Sequence, residues 1–150
     1  MKISTIYDSI VSKMDTLFPS KQRLHNPYEL SDNPEIIAKD SWGLKIGSAS
    51  REEIDYCNLS IGREFTLILI RQFATVGNKE DAFDAISKLL MEDQQTVLNN
   101  LWSTSELNQQ SIIDQIAFES IGGIDFQETN QKKYLFCEIT FRITISESLI

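Results

Sequence analysis

Hydrophobic residues recur every three or four positions near the start of the chain. This spacing predicts a helix of about four turns that ends at Pro19, because proline cannot continue a helix. Asp8, Lys13 and Asp15 fall on the opposite, polar face of the same helix. The apolar positions are Ile3, Ile6, Tyr7, Ile10, Val11, Met14, Leu17 and Phe18.

The pattern then changes to the period of two that is typical of strands. Trp42–Ile46 alternates large apolar residues with small or polar ones, which predicts a strand. Gly47–Asp55 is small and polar and is expected to be an exposed connection between two strands. Leu59–Phe73 is strongly β in character, and its nearly continuous apolar run Phe65–Ile70 is typical of a strand covered on both faces. It is the candidate central strand.

A second helix is predicted to begin at Asn78, a good N-cap residue, and to continue as an apolar stripe to Trp102. Carboxylates in its first turns favour the positive end of the helix dipole. They are Glu80, Asp81 and Asp84. The polar run Glu92–Gln95 interrupts the stripe and predicts either a kink or two consecutive helices.

The last third of the chain predicts a β-hairpin. Ile112–Phe126 is a strand region interrupted by Gly122-Gly123, and Thr129–Gln131 marks a turn. From Leu135 to Ile145, apolar residues then alternate with a second row of mostly polar ones. Tyr134 and Phe136 belong to that second row, so they are expected beneath a helix of the same chain or, less favoured, on a subunit contact.

These elements predict an α+β fold. The expected architecture is a mostly antiparallel sheet of four or five strands with helices packed on one face. The length of 150 residues suits one domain over residues 1–150, and no repeat or linker divides it.

The charge is lopsided, with 14 Lys+Arg against 22 Asp+Glu and a formal net charge of −8. Residues 1–76 hold 9 basic and 10 acidic side chains, whereas residues 77–150 hold 5 and 12. This balance argues against a protein that wraps DNA or binds an anionic membrane through a basic surface. The charged N-terminal helix is unlike a signal peptide and no apolar run could span a membrane, so the chain is expected to be made and kept in the cytoplasm.

Signals for enzyme chemistry are nearly absent. His25 stands alone beside a turn and is expected to be solvated or bonded to backbone, and no glycine-rich phosphate loop occurs. Cys57 and Cys137 lack a C-x-x-C partner and are expected to be buried, reduced thiols. Carboxylate clusters such as Glu92-Asp93 are expected to be solvated faces. The prediction is a protein with no catalytic site, cofactor or metal.

The order of elements resembles the tail terminator (tail completion) proteins of long-tailed bacteriophages over nearly the whole chain. The resemblance rests on the segment Arg23-Leu-His-Asn-Pro27-Tyr28 after a short amphipathic helix, then on the strand Trp42-Gly-Leu-Lys-Ile46-Gly47. A long apolar strand ending Leu69-Ile-Arg71, a helix, and a C-terminal strand pair ending Phe141-Arg-Ile-Thr-Ile145 follow.

The resemblance implies a structural virion protein that is assembled in the host cytoplasm. Such proteins form a homohexameric ring on the head-proximal end of the tail tube, stop its polymerisation and meet the head-completion or connector protein. DNA passes through the ring without specific binding. Another phage neck, head-completion or baseplate component is the alternative, as is a small acidic module that binds a cationic partner.

Two sets of residues are candidate sites in a ring. The first set is expected to contact a neighbouring subunit or the tail tube, because loops on a rigid sheet often supply contacts, or else to be a mobile surface loop. It comprises Arg51, Glu52, Glu53 and Asp55. The second set is expected to line the DNA channel, where acidic groups repel phosphates, or else to be part of a soluble acidic coat. It comprises Glu119, Asp125 and Glu128.

Overall fold

A computed structural model describes residues 3–24, 26–28, 40–53, 58–73, 79–101, 113–129 and 132–148. Within them lie two helices and six strands. The helices are α1 (Ile3–Leu17) and α2 (Lys79–Leu101). The strands are β1 (Gln22–Arg23), β2 (Ser41–Glu53), β3 (Asn58–Phe73), β4 (Ile113–Ile121), β5 (Asp125–Thr129) and β6 (Lys132–Ser148).

The strands form one sheet in the order β1-β2-β3-β6-β4, and β5 also pairs with β6. β1 runs parallel to β2, and the other described pairs are antiparallel. The predicted α+β class is confirmed, with a sheet slightly larger than expected. One additional strand is the two-residue β1. The other arises because one edge of the sheet is divided into β4 and β5, which lie one after the other along β6.

The main core lies between the helices and one face of the sheet. Ile6, Ile10 and Met14 of α1 are fully buried there, which confirms the predicted apolar face of the helix. The predicted alternation of β6 is confirmed as well, since its row from Leu135 to Ile145 is buried at every second position. Phe65 of β3 stacks on Phe141 of β6, with 5.8 Å between ring centroids, at the centre of this core.

The opposite face of the sheet carries a smaller apolar cluster. Ile68, Ile70 and Tyr134 are buried in it and Phe136 packs at its border, so β3 is covered on both faces as predicted. Tyr134 is buried within the subunit, but the described residue that joins its cluster from outside β3 and β6, Leu24, belongs to extended chain rather than to a helix. We call this second side the helix-free face, with reference to α1 and α2.

One alternative and one prediction about local structure are wrong. α2 continues without interruption through Glu92–Gln95, so the alternative of two consecutive helices fails. Of the expected connection Gly47–Asp55, the described part belongs to a strand: β2 runs on to Glu53, with an irregular register between Ile46 and Ala49. The strand continues because β3 supplies backbone partners along its whole length, which a local polar sequence does not reveal. Asp55 itself lies outside the described residues, as do His25, Cys57, Asn78 and Asn130.

Candidate functional site

The predicted contact segment lies in a strand at the border of the sheet. Arg51, Glu52 and Glu53 are the last residues of β2 and stand opposite Ile61, Ser60 and Leu59 of β3 in the register. Arg51 is exposed. The segment can therefore meet another molecule through a strand edge rather than through a loop.

The predicted channel residues do not form a single cluster. Glu119 lies at a bulge of β4 and reaches the helix-free face, and Asp125 of β5 is exposed and pairs with Phe136 on the same face. Glu128 occupies the register position opposite Lys133. Because strand positions alternate between faces, positions 125 and 128 lie on opposite faces of the sheet.

Arg142 of β6 contacts side chains of three other strands on the helix-free face. Its Nε donates to Oε1 of Glu119 at 2.9 Å, and its guanidinium also donates to Oγ of Ser50 at 3.0 Å. Oε2 of Glu64 lies 3.8 Å from the same guanidinium. The hydrogen bond from Arg142 is the main cause that lowers the pKa of Glu119, so this acid is ionised and paired. A count of acidic residues in the sequence therefore overstates how much Glu119 adds to an electronegative surface.

The polar character continues along this face towards the apolar cluster. Lys45 Nζ donates to Oε1 of Glu138 at 3.3 Å, linking β2 to β6 across β3. The hydroxyls of Thr66 and Thr140 share a hydrogen bond of 3.1 Å between β3 and β6. The middle of the helix-free face is thus a set of paired polar groups and not an uncompensated acidic surface.

Asp93 of α2 is buried, which contradicts the expected solvated Glu92-Asp93 face. Its carboxylate accepts two hydrogen bonds from Arg71 of β3, at 2.7 and 2.8 Å, and lies 3.1 Å from Lys21 Nζ. Arg71 also reaches Asp40 at 3.3 Å. A signal was present in the sequence, because Asp93 falls on the buried helical stripe between Leu90 and Val97.

The pKa values of Lys21 and Arg71 shift in opposite directions. Burial lowers the pKa of Lys21 more than the neighbouring Asp93 raises it. The hydrogen bonds to Asp93 raise the pKa of Arg71, which stays charged. The arrangement is fully paired and holds α2, β3 and the chain before β1 together. We interpret this mutually paired arrangement as structural.

Little else in the described chain suggests chemistry. Burial raises the pKa of the Cys137 thiol to about 12, so this cysteine is a poor nucleophile. Among the described residues, no group of three or more His, Cys, Asp or Glu side chains could hold a metal ion. Within the same ranges, neither helix is long and apolar enough to cross a membrane.

The two borders of the sheet carry most of the exposed large hydrophobic side chains. At the β2 border these are Tyr28 and Ile46. At the β4/β5 border, Phe126 contacts Phe83 of α2 with 6.4 Å between ring centroids, and Ile121 precedes the break between the strands. Met91 lies on the flank of α2 whose Gln94 donates to the Gly122 carbonyl at that break. The sequence did not predict that Ile46, Ile121 and Phe126 are exposed, because apolar residues at core-facing strand positions are expected to be buried.

Comparison with known proteins adds no family to this geometry. The chain matches no protein-family model, and no curated protein matches it. The candidate functional site therefore consists of the two sheet borders and the polar part of the helix-free face.

Proposed function

We propose that this chain is a phage tail terminator, a structural virion protein that forms a ring on the head-proximal end of the tail tube and joins it to the head connector. The observation that carries the proposal is the distribution of exposed apolar side chains over the two opposite borders of one sheet. The other exposed large hydrophobics among the described residues lie on α2, with Phe83 and Met91 on the flank towards the β4/β5 border and Leu89 away from it. Exposed apolar groups gathered in this way mark contact surfaces.

Two different contact surfaces on opposite sides of a subunit suit a ring. Ring closure needs a heterologous interface, in which one surface of a subunit meets a different surface of the next. A two-fold dimer, by contrast, uses a single self-complementary surface. The order of helices and strands agrees with the resemblance to tail terminators, which supplies the tail tube and the head connector as partners.

The proposed ring lets DNA pass without retaining it. Duplex DNA is held mainly by basic groups that release its counterions, so a channel wall without excess basic charge does not bind it. On the helix-free face Lys45 and Arg142 are both engaged with carboxylates. Glu119 and Asp125 are both exposed, but Glu119 is already paired with Arg142, so Asp125 is the stronger channel candidate.

Assembly and tail length test the function. Negative-stain imaging of the purified full chain, alone and with tail-tube subunits, should show six-fold rings and rings seated on tube ends. Deleting the gene from its phage should give tails of uncontrolled length without attached heads. Tails of normal length with unattached heads would instead favour a head-completion component. Normal, infectious particles in the deletion would contradict any virion role, and would leave the acidic binding module as the alternative.

The channel is tested separately by reversing charge. We expect the triple variant Glu119→Lys, Asp125→Lys, Glu128→Lys to assemble particles that eject their genome more slowly, because added lysines bind phosphate. The matched control replaces three exposed helical carboxylates by lysine. They are Asp8, Asp15 and Asp84. Equal ejection by the two variants would assign the acids to the outer coat.

A further inference from the structure

We infer that the β4/β5 border of one copy of this chain adds to the β2 border of a second copy, so that an antiparallel sheet continues from subunit to subunit. The inference rests on the proposed ring and deepens it, because it assigns the two surfaces that meet. The occupant of each border is a second copy of this chain.

Strand directions permit this addition without turning a subunit over. β2 is antiparallel to β3, β3 to β6, and β6 to β4 and β5. β2 therefore runs opposite to β4 and β5. When two copies stand side by side in the same orientation, the β4/β5 border of one faces the β2 border of the next with antiparallel strands. Main-chain hydrogen bonds can then form along the junction.

The described chain leaves backbone groups on both borders available for pairing. β1 pairs with β2 only at Ser41 and Trp42, and no other described strand lies on that side of residues 43–50. The outward amide of Ile46 donates to the Tyr28 hydroxyl at 3.0 Å, a side-chain contact that another strand can replace. On the other border, the described partner strand of β4 and of β5 is β6 alone. Such edges are templates for strand addition.

The exposed side chains of the two borders lie on the same side of the sheet. Ile46 pairs with Phe65, Ile121 with Ile139, and Phe126 with Leu135, and each of these partners belongs to the main core. Residues paired across an antiparallel ladder share a face, so all three exposed side chains are on the helix side.

A junction of the two borders would bring these side chains together and continue the core layer from one subunit into the next. Their present exposure is substantial, at 46% for Ile46, 52% for Ile121 and 47% for Phe126. Burying apolar surface of this kind stabilises the junction beyond its hydrogen bonds. A self-pairing of two β2 borders would leave Ile121 and Phe126 uncovered.

Two border variants and their mixture test the inference. Ile46→Lys blocks the β2 border and Phe126→Lys blocks the β4/β5 border. We expect each variant to self-associate at least about tenfold more weakly than the wild type in sedimentation velocity, because a lysine is placed in an apolar contact. Leu89→Lys is the matched control and should assemble normally, since Leu89 lies about 140° around α2 from Gln94 at 100° per residue.

The mixture gives the signature of two different surfaces. Each variant keeps the border that the other has lost, so labelled Ile46→Lys protein titrated with Phe126→Lys should form a saturable 1:1 dimer and nothing larger. Labelled Ile46→Lys titrated with more of itself should not associate. Circular dichroism checks folding, and Tyr28→Lys and Ile121→Lys replace either variant that does not fold.

The outcomes separate the inference from the proposed function. Normal assembly of both border variants overturns the inference and leaves the ring function standing. A loss confined to Ile46→Lys points to a two-fold β2 junction and also overturns it. Expected border behaviour together with normal tails in the gene deletion overturns the function and leaves the inference. A wild-type chain that stays monomeric at every concentration, with and without tail-tube subunits, overturns both.

Discussion

Removing the carboxylate of Asp93 should destabilise the protein more than any other single loss of charge among the described residues. The side chains of Asp93 and Lys21 are only 7% and 3% exposed, so water cannot replace the lost partner. Asp93→Asn keeps the size of the side chain but leaves Lys21 and Arg71 without the carboxylate that both contact. Breaking a buried ion pair from one side costs about 3–5 kcal/mol, because the remaining charge stays desolvated.

That loss is large compared with the stability of the whole domain. The free energy of unfolding of a single domain is about 5–15 kcal/mol, and it falls by about 1–3 kcal/mol for each mole per litre of urea. We therefore expect the urea midpoint of Asp93→Asn to fall by roughly 1–5 M. Equilibrium unfolding followed by tryptophan fluorescence and by circular dichroism measures the midpoint and tests whether one transition remains.

Two further variants make the reasoning refutable. Asp84→Asn is the same substitution at an exposed position of α2 and should change the free energy of unfolding by less than about 0.5 kcal/mol. The triple variant Lys21→Met, Arg71→Met, Asp93→Leu removes all three charges and should be more stable than Asp93→Asn, since apolar replacement of a buried charged cluster is often neutral or favourable. A loss below about 1 kcal/mol in Asp93→Asn would refute the argument.

Three other predictions follow from the sheet. Cys137 should resist alkylation at pH 8 in the native protein and react only in denaturant, because its pKa is raised to about 12; rapid native labelling would contradict this. Gly122→Ala should cost about 1–3 kcal/mol in thermal unfolding, because its Cβ would lie 2.9 Å from a β6 carbonyl oxygen, whereas Gly123→Ala, with nothing within 4 Å, should be tolerated. Because the pKa of Glu119 is lowered in the folded protein, its ion pair stabilises the fold above the ordinary pKa of 4.5, and this stability is lost as the pH falls through the lower folded value. Arg142→Gln should therefore make acid unfolding less steep in that pH range. An unchanged pH profile would show that the pair is too exposed to matter.

The sequence predicted those helices and strands in which the apolar residues recur with the regular spacing of the element itself. The alternation of β6 and the continuous apolar run of β3 are local signals of one-sided and two-sided burial, and both are confirmed. The end of β2 gave no such signal. Its residues from Ser48 to Arg51 are small or polar and exposed, and they are in a strand only because β3 lies alongside.

The candidate site was harder to predict for a related reason. Ile46 and Phe126 occupy core-facing positions but lie at the borders of the sheet, where they stay exposed. Asp93 shows the opposite case, in which an acid on an apolar stripe is buried because Lys21 and Arg71 arrive from other elements. In each case the exposure of a residue depends on which distant segment covers it, and a periodic pattern does not carry that information.

The central ladder of β3 and β6 also sets the order in which the chain can fold. The two strands pair from Asn58↔Ser148 to Phe73↔Lys133, so most of the intervening chain must be synthesised before β3 receives its second neighbour. The β2-β3 hairpin can form early, but the apolar run Phe65–Ile70 then has one open side until the C-terminal strand arrives. Contacts between such distant segments slow folding and lengthen the time during which an apolar edge is exposed. A nascent chain that ends before Lys132 therefore presents β3 as a site for misassembly, and completion of the last strand is the step that closes it.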